Sequence, residues 1–220
     1  MHGSRFMRVT RTLPILLSLA SVSGRLAAQN PPPKLETGAN IAVTFSRFAG
    51  TASGNPKLQY GFGVGGFLIL HLTKNLAIQP ELQYVLKGSR FRVDDSTRTS
   101  LILGYLQVPV LVKFILPAAT AHGVSPHLYA GMAGSLRTDC RFNAKTGDNS
   151  VSQTCNDLNE PPPKSWDASA IVGAGANISY IFVDVRFDLG LTRIGRTPGQ
   201  DDVKNRTLYL MVGTAFRAPQ

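Results

Sequence analysis

The chain has 220 residues, of which 43% are hydrophobic and only 16% charged. A soluble domain carries roughly a quarter charged residues, yet no run of 18 or more apolar residues occurs, so no membrane-spanning helix is offered. The net charge of +10 comes without a clustered basic helix and so gives no nucleic-acid footprint.

The first 28 residues read as a secretory leader. Arg5, Arg8 and Arg11 form a basic start, Leu13 to Val22 a short apolar core, and Leu26-Ala27-Ala28 a small-residue cleavage site before Gln29. This leader holds four of the 23 basic residues and none of the 13 acidic ones, leaving +6 on the exported chain. A modest basic excess suits outer-membrane lipid and lipopolysaccharide as partners. Residues 29–35, with Pro31-Pro32-Pro33, read as an extended lead-in. The domain proper is expected over 36–218.

Eight runs of strand length follow. In the first, Ala39, Ile41, Val43 and Phe45 oppose Gly38, Asn40, Ala42, Thr44 and Ser46. The second, near 60–73, has Gly61, Gly63 and Gly65 on one face, where small residues leave room for bulky neighbours in a narrow barrel. The third alternates over twelve residues: Leu76, Ile78, Pro80, Leu82, Tyr84 and Leu86 against Ala77, Gln79, Glu81, Gln83, Val85 and Lys87. A bilayer-crossing strand needs about 9–11 residues. The fourth, fifth and sixth runs, near 100–116, 126–140 and 166–180, alternate less cleanly, and the sixth carries Gly173 and Gly175. In the seventh, Ile181, Val183, Val185, Phe187 and Leu189 oppose Phe182, Asp184, Arg186 and Asp188. In the eighth, Leu208, Leu210, Val212 and Phe216 oppose Tyr209, Met211, Gly213 and Arg217.

The connections are unequal. Those at 74–75 and 180–181 are minimal and 117–125 is middling. Those at 49–59, 88–99, 141–165 and 193–205 are long and would all emerge at one end. Long loops outside and short turns at the periplasmic end are the asymmetry of outer-membrane barrels, and an even strand count closes the sheet so that hydrocarbon meets no edge. The expected fold is therefore all-β, an eight-stranded antiparallel up-and-down transmembrane β-barrel.

A soluble, lipocalin-like barrel is the competing architecture. Its polar face would meet water and carry many charges along every strand. Here the polar faces are small or sparsely charged, while Lys57, Arg90, Arg92, Arg98, Lys145, Lys164, Arg196, Lys204 and Arg206 fall in the connections. Glu81, Lys113, Asp184, Arg186 and Asp188 are expected to form an internal ion-pair network, since charges in a narrow lumen are tolerated only when paired. Phe45, Tyr84, Tyr180 and Phe216 lie near run ends, where aromatic girdles form. Cys140 and Cys155 suit a disulfide in an oxidising compartment, worth roughly 3 kcal/mol by loop entropy.

Several of these stretches resemble one family. Gln79-Pro80-Glu81-Leu82-Gln83-Tyr84-Val85-Leu86-Lys87-Gly88, Tyr105-Leu106-Gln107-Val108-Pro109-Val110-Leu111-Val112-Lys113, Leu128-Tyr129-Ala130-Gly131, Gly173-Ala174-Gly175, Asp184-Val185-Arg186-Phe187-Asp188-Leu189-Gly190-Leu191 and Asn205-Arg206-Thr207 resemble, in order, strands of the PorT-like outer-membrane β-barrel family. The resemblance spans residues 36–218. It implies the same fold and location, and for some members a part in protein secretion.

No catalytic, cofactor-binding or metal-binding constellation is found, and no enzyme is expected. A lipid-modifying enzyme would need a His beside a Ser and an acid; His127, with Ser125 and Glu81, is the nearest approach. A small-solute pore is the alternative to a structural or interaction role, although eight strands leave room only for side chains. The loops, chiefly 141–165, are the expected contact surface for a protein partner, with the chain acting as a monomer.

Overall fold

The structure, a computed structural model, describes residues 35–50, 55–92, 94, 96–116, 124–157, 162–195 and 202–217. The expected leader and most of the lead-in lie outside the described residues.

Successive side chains of a strand point to opposite sides, so period-2 alternation gives the ring strands two unlike faces. The strands are β1 (Leu35–Ala49), β2 (Gln59–His71), β3 (Leu76–Arg92), β4 (Thr97–Ile115), β5 (Val124–Thr146), β6 (Asn149–Thr154), β7 (Trp166–Ile178), β8 (Ile181–Gly190) and β9 (Lys204–Arg217). All pairings are antiparallel. Each ring strand bonds its neighbour, β4 closes onto β5, and β1 closes onto β9. The result is the expected up-and-down ring of eight strands, with β6 standing outside it. The paired part of β5 changes partner along its length: Val124–Leu136 bond β7, and Arg141–Thr146 bond β6.

Which face turns inward is plain from exposure. On β3, Gln79, Glu81, Gln83, Val85 and Lys87 are buried while Leu82 is 54% exposed. On β8, Phe182, Asp184, Arg186 and Asp188 are buried while Val183 and Val185 stand outside. The polar set fills the lumen and the apolar set forms the outer wall, the inside-out arrangement that lipid requires. On β4 the apolar outward positions run from Phe114 to Ile102, roughly 30 Å of barrel height at about 3.3 Å per residue and a tilt near 40°. That is close to the ~25 Å apolar band of such barrels. Aromatic rings sit near both margins of the wall: Phe45 and Tyr60 meet edge to face at 5.4 Å, and Tyr180 and Phe216 are exposed at the short-turn end. Trp166 also stands exposed on the wall, which the alternation did not single out.

The glycines of the sixth run do what a narrow lumen needs. A Cβ at Gly173 would strike the Tyr129 ring, and one at Gly175 would strike Asp184 Oδ1. Both positions therefore make space for large inward side chains of neighbouring strands.

The turns at one end are short. Residues 72–75 join β2 to β3, with Thr73 Oγ1 accepting from the backbone N–H groups of Asn75 and Leu76 at 3.2 and 3.0 Å. Ser179-Tyr180 join β7 to β8, Ser179 taking φ 60°. At the other end two expectations need correction. Residues 88–92, 97–99 and 141–154, expected in connections, are paired strand. β3 and β4 continue as a paired hairpin to Arg92 opposite Arg98. There Asp94 Oδ1 accepts from Ser96 N, Ser96 Oγ and Thr97 N at 2.8, 2.8 and 2.6 Å, and these bonds, led by the Ser96 hydroxyl, hold its carboxyl below the usual range. β5 runs six residues past Cys140 and turns at Gly147-Asp148 into β6. Gly147 takes φ 58°, the left-handed place of a two-residue hairpin turn. Ser, Thr and Asn at these positions carry weak apolar alternation, so a pattern search ends the strands at the membrane margin while the backbone ladder goes on.

Candidate functional site

The lumen is the most constrained chemistry of the molecule, and β1, β3, β4, β5, β7, β8 and β9 each supply it. Arg186 from β8 meets Glu81 from β3 with two parallel bonds, Nη2 to Oε1 at 2.7 Å and Nη1 to Oε2 at 2.8 Å. Two further donors reach the same carboxylate: Gln79 Nε2 to Oε1 and Gln83 Nε2 to Oε2, both at 2.8 Å. The guanidinium lies over the Tyr129 ring, 5.2 Å from its centroid, and its Nε donates to the Tyr129 hydroxyl at 3.3 Å. Each oxygen of the Glu81 carboxylate thus accepts two bonds, which is the condition under which a dry ion pair is tolerated.

A second cluster sits above it. Asp188 Oδ2 accepts from Lys87 Nζ at 2.9 Å, Gln107 Nε2 at 2.8 Å and the Tyr209 hydroxyl at 3.3 Å. A third joins β7 and β9: Asp167 accepts from Asn205 Nδ2 at 2.8 Å and from the Thr192 hydroxyl, and Asn205 also reaches the Tyr105 hydroxyl at 3.3 Å. Asp184 meets His127 Nε2 at 2.9 Å.

All five residues expected in the network lie in the lumen, but they do not form one ion-pair chain. Lys113 makes no carboxylate pair among the described residues; its Nζ donates to Gln79 Oε1 at 3.2 Å and stands over the Phe182 ring. Glu81, Asp184 and Asp188 each take a separate cation or histidine. Lys87, Gln107, His127, Asp167 and Tyr209 were not expected in the network, although all fall at inward positions of the alternation. That periodicity was the available signal.

His127 is 1% exposed and stacked on Tyr129. Its ring nitrogen engages Asp184, while Glu81 is taken by Arg186. The His127–Ser125–Glu81 arrangement considered for lipid chemistry is therefore not assembled.

The long-loop mouth is closed by apolar side chains. Phe48, Leu103, Ile194 and Val203 pack with the two cysteines into one buried cluster. Cys140 and Cys155 are joined by a disulfide across a separation of 15 residues. It thus pins the short turn Cys155–Asp157 over the mouth. Replacing both cysteines with serine is expected to cost about 3 kcal/mol of local stability. Limited proteolysis should then cut faster within 141–157. The temperature at which the folded band converts on a denaturing gel should hold, because β4–β5 closes the ring without the bridge. Unchanged proteolysis would show that the bridge restrains nothing.

Around the mouth the hairpins β3–β4 and β5–β6 project beyond the apolar wall. Their outward face is basic and rich in hydroxyls, and encloses a recess of about 500 Å³ lined in part by Arg90, Arg98, Ser100, Asn143, Lys145 and Ser152. Arg90 is held in place by Gln59 Oε1, which accepts from its Nε at 2.9 Å, and lies over the Tyr60 ring at 5.2 Å.

Similar folds occur among solved structures. Ail, the attachment invasion locus protein of Yersinia pestis, solved with the heparin analogue sucrose octasulfate, is 16% identical, with 83% of this chain and 99% of Ail covered and a TM-score of 0.43. Neisserial surface protein A is 14% identical, with 84% of this chain and 97% of that one covered and a TM-score of 0.44. The outer membrane protein OprG of Pseudomonas aeruginosa is 10% identical, with 85% and 97% covered and a TM-score of 0.43. No curated protein matches the chain. A family model described as outer membrane protein beta-barrel domain matches residues 27–195. With most of its length matched and an inside-out ring of eight strands, the chain belongs to that family of barrels of the bacterial outer membrane.

Proposed function

We propose that the chain is a sealed display barrel: a monomeric transmembrane ring that holds its long-loop end at the cell surface and acts by contact there, with a protein partner or with the surrounding lipid. Export would use the leader, cut near Ala28. The resemblance to PorT-like proteins supports a part in secretion across the outer membrane. The observation that carries the reading is the filled lumen. Three layers of buried polar clusters, centred on Glu81–Arg186, Lys87–Asp188 and Asp167–Asn205, lie beneath an apolar cap. Nothing in such an interior can be displaced by a solute without stranding a charge.

Planar-bilayer recording of the refolded barrel tests this against a small-solute pore. No stepwise conductance above leak is expected. Discrete openings in the unaltered protein would replace the display reading with the pore.

A further inference from the structure

We infer that the outward face of the β3–β4–β5–β6 projection is a binding site for a phosphate group of an outer-leaflet glycolipid, with Arg90, Arg98 and Lys145 as its cations. The inference deepens the display reading and rests on its placing the long-loop end at the cell surface.

The pairing register places the cations. Residues directly opposite in a ladder share a face, so one rung carries Arg90, Ser100, Asn143 and Ser152, and the next carries Arg92, Arg98, Lys145 and Ser150. Both rungs continue the outward face of Leu106 and Ile102. The first lies two residues beyond Ile102, which is about 5 Å above the apolar belt on a tilted strand, and the second about 5 Å higher. That is headgroup depth, not the depth of a free aqueous loop.

Like charges directly opposite in a ladder repel and destabilise the sheet. Here Arg92 faces Arg98, and Arg98 faces Lys145. On the far wall, at the same step above Phe45 and Leu208, Arg47 faces Arg206. Among the described residues no carboxylate pairs with Arg90, Arg92, Arg98 or Lys145; Arg141, one rung below, is matched by Asp139 at 3.0 Å. An anion between the opposed cations removes the repulsion. A phosphate fits best, because two guanidinium forks and an ammonium can share its oxygens. The serine hydroxyls and the Asn143 amide of the same rungs supply neutral donors. The Gln59 bond and the Tyr60 ring fix Arg90 before any ligand arrives, which lowers the ordering cost of binding. These groups border a recess of about 500 Å³.

The test titrates the refolded full barrel in neutral detergent with fluorescent bis-phosphorylated lipid A. The same lipid after phosphatase treatment and inorganic phosphate as competitor complete the set. Half-saturation should rise about tenfold in Arg90→Gln/Arg98→Gln/Lys145→Gln and severalfold in Arg98→Gln alone. It should rise similarly for dephosphorylated lipid with the unaltered protein, and stay in place for Lys74→Gln at the opposite end. Equal affinity in the triple variant, or for the two lipids, overturns the site. Competition by inorganic phosphate at the lipid's own concentration would assign the cations to a soluble anion and overturn the lipid. Failure of the display reading is distinguishable: it would appear as channel openings in the unaltered protein, which the lipid titration does not measure.

Discussion

Arg186→Met should destabilise the barrel by about 3–5 kcal/mol, because it leaves the Glu81 carboxylate buried and without its cation. Arg186 is 1% exposed and spends both terminal nitrogens on Glu81. Gln79 and Gln83 remain as donors, but a neutral amide offsets only part of a desolvated charge. Glu81→Gln in the Arg186→Met background should recover most of the loss, since the double variant buries no unpaired charge at that point. Urea unfolding in micelles, followed by the fluorescence of the single tryptophan, Trp166, measures all three variants. A loss below about 1 kcal/mol for Arg186→Met would mean that water reaches the pair and that the lumen is not dry.

Val110→Arg should cost about 2–4 kcal/mol in a bilayer, whereas Ile102→Arg should cost about 0–1. Val110 is 51% exposed on the outer wall and lies near the middle of the β4 belt, between Pro80 and Met132 of the neighbouring strands. Ile102 lies at the belt's upper margin, where an arginine can reach headgroups. In a soluble barrel both positions would face water, and neither substitution would cost more than a few tenths of a kcal/mol. Equal and negligible effects at the two depths, measured by reversible folding into vesicles, would mean that the outer wall meets water and not lipid.

These two expectations rest on different kinds of knowledge. The division between faces was legible residue by residue: Leu82 against Glu81, Val185 against Arg186. It follows from a local rule, because successive side chains of a strand point to opposite sides whatever the rest of the chain does. The lengths of β3 and β5 were less legible. Beyond Gly88 and Cys140 the outward face turns basic, with Arg90, Arg92, Arg141 and Lys145, so the apolar outward stripe ends although the backbone ladder continues.

The sequence by itself determined an antiparallel sheet of eight crossing strands with a greasy face and a sparse polar one. Periodicity, turn spacing and composition are properties of neighbours along the chain. Only the tertiary structure decided which inward groups meet. Arg186 pairs with a carboxylate 105 residues away, Lys87 with one 101 residues away, and Lys113 finds an amide in place of the acid expected for it. It also decided that the disulfide belongs to an apolar cap, and that cations scattered over three strands stand in adjacent rungs. Closing the ring sets the stagger between strands, and that stagger, not the order of residues along any one of them, brings such groups to the same height.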